Sequence, residues 1–316
     1  MDKKKVFIVG REGTTGLRID ERLSGRQDIE LLSIAEADRK NMDKIAEVAA
    51  QADVIFLCLP DAAAKEVVEA VKDLSCKVID ASTAHRTNPD WAYGFAELGP
   101  EFRKGIEENR LIANPGCHAS GMVAILYPLV KAGLVPADYP VSALSLTGYS
   151  GGGKKMIAQY EDDIQGTDLY SPRQYGLGQA HKHLPEVTKI VGLAQAPIFQ
   201  PIVDDYYSGM ETTIGFHTAF LGKPVTAKDM WEALNKHYQG SKMVKVAPFD
   251  LEATNKTILA ANEASGLDTM TLYVSGNDDR VLVHAIFDNL GKGASGSAVQ
   301  CMNIALGLPE ETGLSL

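Results

Sequence analysis

The N-terminal third of the chain alternates short apolar runs with amphipathic segments, and this alternation restricts the fold more than any other feature. "KKVFIVG", "IELLSIAEAD", "DVIFLCLP", "CKVIDAS" and "RLIANPG" read as strands. Helical patterns fall between them at "LRIDERLSG", "MDKIAEVAAQ" and "DAAAKEVVEAVKDL", the last with Asp61 expected as N-cap after Pro60. Strands that are apolar along their whole length and joined by helices make βαβ units. They imply a parallel sheet covered on both faces.

After about residue 140 the pattern changes. "VSALSLTGYS" alternates, and "IFQPIVDDYYSGMETTIGFHTAF" is long and β-rich. "TMTLYVSGNDDRVLVHAIFDNL" reads as a hairpin about Gly276–Asp279, with Val281, Val283, Ala285 and Phe287 on one face. One helix, "VTAKDMWEALNKHYQ", interrupts the strands. This half is therefore expected to be a mainly antiparallel sheet with helices packed on it, α+β after α/β. The change of character falls close to Cys117.

A formal net charge of -10 argues against nucleic acid or an anionic membrane as partner. No run approaches the roughly 18 apolar residues that span a bilayer. "MDKKKVFIVG" leads straight into a strand with no room for a signal peptide, so a cytoplasmic protein is expected. Cys58, Cys76, Cys117 and Cys301 show no CxxC pairing, which predicts neither a disulfide framework nor a metal site. Cys58 is expected as a buried strand residue, and Cys76 and Cys301 as structural thiols.

Cys117 differs. It follows the turn Asn114-Pro115-Gly116 and opens a small, apolar helical run. A helix N-terminus presents amide N–H groups and the positive end of the dipole, which favour a thiolate. At the carboxyl edge of a parallel sheet, where such folds bind ligands, it is the candidate nucleophile.

Other motifs gather near that edge. "GREGTTG" (Gly10, Glu12, Gly13, Thr14, Thr15, Gly16) is a glycine turn between strand and helix, suited to a dinucleotide pyrophosphate. Beyond the second strand, Glu36 or Asp38 would suit the ribose of NAD and Arg39 with Lys40 the 2′-phosphate of NADP; the residues leave both open. "DASTAHR" offers Ser82, Thr83 and Arg86 as an anion site. "TGYSGGGKKM", with Ser150 and Gly151, offers a second anion cradle or else a plain linker. "GLGQAHKHLPEV" carries His181 and His183 ahead of a helix starting near Pro185. In an extended stretch the two rings point to opposite sides, so at most one is expected to face the thiol as general acid and base.

A thiolate, an imidazole, an anion site and a dinucleotide site together suit hydride transfer to or from an acyl thioester. The stretches "GREGTTG", "FLCLPDAAA", "DASTAHR", "YGFAELGP", "ANPGC", "GYSGGGKKMI", "HKHLPEV" and "GASGSAVQCMN" span residues 7 to 303. On them the chain resembles the shorter N-acetyl-γ-glutamyl-phosphate reductases of the semialdehyde dehydrogenase superfamily. The resemblance implies a Rossmann-like, doubly wound parallel sheet followed by an α+β domain, with the last helix returning to the first domain. It divides the chain into 1–116 with 290–316, and 117–289. It further implies Cys117 as nucleophile and NADP(H) as cofactor, with Arg39 and Lys40 at the 2′-phosphate and Leu59, Pro60, Gly293 and Ala294 at the cofactor. Ser82, Arg86, Asn114, Ser150, Gly151 and Glu186 are the substrate candidates. An acyl phosphate substrate and a homodimer or homotetramer are implied as well.

The chain departs from the family in one place: His118-Ala119-Ser120 stands where a tyrosine–proline–threonine-like stretch is usual. A looser first helical turn and a second imidazole beside the sulfur are expected there. Rival readings are an aspartate-semialdehyde dehydrogenase, a reductase for an amino-adipyl homologue, a non-catalytic dinucleotide-sensing module and a cysteine hydrolase. The hydrolase leaves "GREGTTG" unexplained.

Overall fold

The structure, a computed structural model, describes residues 3–162, 166–249 and 256–316. It divides into two compact units, residues 1–116 with 294–315, and 117–293 with Leu316.

The first unit runs β1 (Lys4–Val9), α1 (Thr14–Ser24), β2 (Ile29–Leu32), α2 (Met42–Ala49), β3 (Val54–Leu57), α3 (Asp61–Ala70), β4 (Lys77–Asp80), β5 (Ala92–Tyr93), α4 (Pro100–Glu108) and β6 (Leu111–Ala113). Its sheet is parallel throughout, in the order β2-β1-β3-β4-β6-β5. Successive strand residues point to opposite faces. Val6 and Ile8 therefore join a core with Ile19, Phe56 and Ile79, while Phe7 and Val9 join another with Ile45, Ile55 and Val67. Helices on both faces are the reason these strands carry no polar face.

Two local expectations are corrected. Pro60, not Asp61, is the N-cap of α3; the Asp61 carboxylate instead accepts hydrogen bonds from the backbone and side chain of Thr83. Cys58 lies just beyond the end of β3, where its N–H donates to the Val9 carbonyl at 2.9 Å. Burial of its thiol pushes the pKa up to about 12.

The second unit runs α5 (Cys117–Lys131), β7 (Ser142–Gly148), α6 (Gly153–Glu161), β8 (Arg173–Gln174), α7 (Leu184–Val191), β9 (Ile198–Asp204), β10 (Met210–His217), α8 (Ala227–His237), β11 (Val244–Val246), β12 (Met270–Gly276) and β13 (Arg280–Phe287). The sheet order is β11-β12-β13-β10-β7-β9-β8. Its pairings are antiparallel except β11 with β12 and β7 with β9. The hairpin joins Gly276 to Arg280, with Asn277 Oδ1 accepting from the Asp279 and Arg280 amides.

Helix α5 packs on β10 and β13 and between α7 and α8. It is buried almost all round, which explains its nearly unbroken apolar sequence. Gly121 lets it approach the sheet: a Cβ there would stand 2.4 Å from Thr212 Oγ1. Pro128 inside α5 has no N–H to give the Ala124 carbonyl. The Tyr238 hydroxyl donates to that carbonyl instead, at 2.8 Å.

A π-helical turn, Gly291–Ser295, leads into α9 (Gly296–Ala305). Helix α9 belongs to the first unit, where Val299 and Met302 join the core of Ile19, Ile79 and Ile112. Cys301 and Cys76 are buried, and Cys301 Sγ donates to the Gly94 carbonyl at 3.3 Å. Among the described residues no helix is long and apolar enough to cross a membrane.

Candidate active site

The first unit carries a cleft of about 330 Å³ at the carboxyl end of β1, lined by Gly10, Arg11, Glu12, Ser33, Arg39, Lys40 and Leu59 among others. Its floor tolerates only backbone. A Cβ on Gly10, at φ +84, would lie 2.4 Å from the Cys58 carbonyl oxygen, and one on Gly16 would lie 2.4 Å from that of Gly10. Gly13 caps α1 without a side-chain hydrogen bond, ahead of Thr14 and Thr15, so the first-turn amides remain for an outside acceptor. These features fit a dinucleotide. Arg39 lines the cleft while pairing with Glu12 at 2.8 Å. Glu36 and Asp38 lie on an exposed 3-10 turn and do not line it. Pro60 stands exposed at the start of α3.

The loop after β4 does not bring Ser82, Thr83 and Arg86 together as an open anion nest. Ser82 donates through N and Oγ to buried Asp80, which also meets His85 Nδ1 at 2.6 Å. Thr83 is held by Asp61, and Arg86 donates to the Asn114 and Ala81 carbonyls. Asn114 gives its Nδ2 to the Ala294 carbonyl at 3.0 Å, while its buried Oδ1 has no hydrogen-bond partner.

In the second unit Cys117 opens α5 and lines a cavity of about 230 Å³ with His118, Thr147, Gly148, Gly151, Gly152, Met156, Tyr175, His181, Lys182, His183 and Val203. Gly293 closes on Cys117, since a Cβ there would stand 3.1 Å from Cys117 Cβ. The glycine run after β7 is a tight 3-10 turn leading into α6, not a linker. Ser150 within it is buried and accepts from Asn289 Nδ2 at 3.0 Å. Glu186 is buried in the first turn of α7.

Both His181 and His183 line the cavity with Cys117, although an extended stretch would have sent their rings to opposite sides. Residues 182 and 183 form a turn rather than extended chain, and the His183 amide folds back to donate to His181 Nδ1 at 3.2 Å. The rings meet edge to face with centroids 4.7 Å apart. With Nδ1 accepting, the neutral His181 ring carries its proton on Nε2. Burial, then the charge of Lys182, holds this imidazole below its ordinary pKa.

The first turn of α5 is regular and buried, so the His118-Ala119-Ser120 variation does not loosen it. His118 shares the cavity with Cys117 as a second imidazole, and a neutral one. Burial, with His181 and Lys182 adding to it, pushes its pKa down to about 3. Tyr175, Met156, Thr147, Lys182 and Val203 escaped the sequence reading. Thr147 and Met156, at the two ends of "TGYSGGGKKM", and Lys182, between the histidines, lay inside motifs already singled out, and Tyr175 stands six residues before His181.

The sequence pattern of the semialdehyde dehydrogenase NAD binding domain matches residues 5–106, and that of the semialdehyde dehydrogenase dimerisation domain matches residues 117–289. An N-acetyl-gamma-glutamyl-phosphate reductase from Brucella anthropi is 48% identical over 310 residues, covering 96% of this chain and 99% of its own. N-acetyl-gamma-glutamyl-phosphate reductase 2 from a Nostoc species is 43% identical, covering 99% of this chain and all of its own. Among solved structures, aspartate semialdehyde dehydrogenase II from Vibrio cholerae superposes with a TM-score of 0.70 at 17% identity, covering 97% of this chain and 99% of its own. The Candida albicans aspartate semialdehyde dehydrogenase with NADP gives 0.65 at 16%, covering 96% and 98%. These two share the fold. Identity of this degree along the full length of both sequences leads to one conclusion: the chain belongs to the semialdehyde dehydrogenase family, with the N-acetyl-gamma-glutamyl-phosphate reductases as its near relatives.

Proposed function

We propose that this chain reduces N-acetyl-L-glutamyl 5-phosphate to N-acetyl-L-glutamate 5-semialdehyde and phosphate through a thioester on Cys117, with NADPH as reductant, as a step of arginine biosynthesis. The observation that carries the reading is the cavity shared by Cys117, at the first position of a buried helix, and His181. The names of the curated relatives support the substrate.

Cys117 Sγ attacks the acyl carbon, the C–O bond to phosphate breaks, and phosphate leaves with the bonding pair. The amide end of α5 favours the attacking anion. NADPH, held at the glycine turn with Arg39 and Lys40, would supply the hydride that the thioester needs. His181 Nε2–H donates to the acyl oxygen as it gains charge, and Cys117 leaves as thiolate when the aldehyde forms. Gly151 and Gly152 bring backbone close to the substrate, and Lys182 offers it a cation. Met156, Val203 and Tyr175 limit water. Asn114 Oδ1, buried and unmet, is an acceptor for a bound ligand. Arg39 and Lys40 favour the 2′-phosphate of NADP over the bare ribose of NAD, since Glu36 and Asp38 lie off the cleft. A homodimer or homotetramer in the cytoplasm completes the proposal, supported by the family's dimerisation domain.

The test runs the reaction backwards with N-acetylglutamate semialdehyde, NADP and phosphate, following NADPH absorbance beside Cys117→Ser. Phosphate-dependent NADPH formation that vanishes in the variant is expected. Turnover only with aspartate semialdehyde would keep the mechanism and change the substrate. Silence with both aldehydes, from protein that binds NADP, would leave a dinucleotide-sensing module.

A further inference from the structure

His118 is a buried cavity residue to which the mechanism above gives no part. It is 2% exposed in the first turn of α5, with Nδ1 2.7 Å from Ser145 Oγ and Nε2 2.6 Å from Tyr175 Oη. Ser145 Oγ lies 3.0 Å from Thr212 Oγ1. The rings of His181, His183 and Phe199 close around it, with centroids 5.6, 5.8 and 5.2 Å away. The titratable and charged groups of its surroundings are Cys117, Tyr175, His181, Lys182 and His183. An imidazole caged this way stays neutral at physiological pH. A neutral ring has one donor and one acceptor nitrogen, and here each is committed to a hydroxyl. Tyr175 shares the cavity with Cys117, whose negative charge, after burial, helps keep the phenol protonated.

We propose that His118 is a positioning residue whose Nε2–H donates to Tyr175 Oη, turning the phenolic proton into the cavity toward the atoms that react at Cys117. Ser145 then donates to Nδ1, and Thr212 donates to Ser145. Held so, the Tyr175 hydroxyl donates to the sulfur anion before attack and to the charged acyl oxygen after it. The inference rests on Cys117 being the nucleophile.

The experiment measures the pH dependence of Cys117 alkylation by iodoacetamide in the full-length protein, resolved by peptide mass spectrometry, alongside kcat and KM. The first readout needs no substrate. Y175F is expected to raise the apparent thiol pKa by about 0.5–1 unit. It should also lower kcat about 10-fold with little change in KM. H118F should do the same, and H118F/Y175F should be no worse than Y175F, because His118 acts only through that hydroxyl. H118Q, whose amide N–H replaces Nε2–H, should return toward wild type. A wild-type alkylation profile in Y175F, losses that multiply in the double variant, or an H118Q as impaired as H118F would each overturn the inference alone. If H118F does not fold, the contrast between Y175F and H118Q decides by the same two readouts. Wild-type Cys117 alkylating no faster than Cys58 would overturn the nucleophile assignment first, and this inference with it.

Discussion

Lys182 stands between two cavity histidines and, after burial, lowers the pKa of one of them. Burial and the Lys182 charge both disfavour the imidazolium of His181, so its pKa falls below the ordinary 6.5 and the ring is neutral at pH 7. A carbon-13 NMR titration of labelled histidines should place His181 below 6.5. In Lys182→Met the loss of the cation should raise that value by about 0.3 unit, burial being unchanged. A fall, or no movement, would mean that Lys182 does not act on the ring. The neutral ring with Nδ1 accepting from the His183 amide carries its proton on Nε2, the form that the proposed mechanism needs. The same turn that makes this bond brings both histidines into the cavity.

At the scale of an element, α5 begins at Cys117 and depends on a repair to its own backbone. Pro128 deprives the Ala124 carbonyl of its helix donor, and the Tyr238 hydroxyl at the end of α8 replaces it. A buried carbonyl left unmet costs about 1–3 kcal/mol. Urea denaturation should therefore show Tyr238→Phe destabilised by about that amount. Adding Pro128→Ala to that variant restores an N–H at position 128, so it should recover part of the loss. Equal losses with and without Pro128→Ala would show that the hydroxyl matters for packing and not for the carbonyl. The glycines of the nucleotide turn follow a similar logic, in which close backbone approach forbids a side chain.

For the whole molecule, the buried neutral His118 links stability to acidity. Its folded pKa lies near 3 while the unfolded chain titrates near 6.5, so between these values the unfolded state binds the extra proton. Stability supplied by the neutral ring is therefore present above pH 6.5 and is lost as pH falls toward 3. One proton of difference gives about 1.4 kcal/mol per pH unit within that window. Between pH 6 and 5, wild type should lose about that much more stability than His118→Gln, read from urea midpoints. Parallel pH dependence in the two proteins would mean that His118 takes up its proton while folded.

The sequence by itself determined the layers and the place of Cys117 at a helix start. Runs apolar on both faces and joined by helices dictate a parallel sheet between helices, and alternation with an Asn-Asp turn dictates the hairpin, whatever the remainder of the chain does. Cys117 at a helix start was legible because a proline–glycine turn before a small apolar run defines it locally. What only the tertiary structure decided depends on pairs far apart in sequence. His118 meets Ser145, 27 residues on, and Tyr175, 57 residues on. Asp61 caps a loop 22 residues away instead of its own helix. His181 and His183 face one cavity because the chain turns between them. Hydrogen bonds of this kind act over about 3 Å, a range no local pattern records. They decide where protons point, while burial and the charge of Lys182 decide that His118 and His181 are neutral, and the proposed chemistry depends on both.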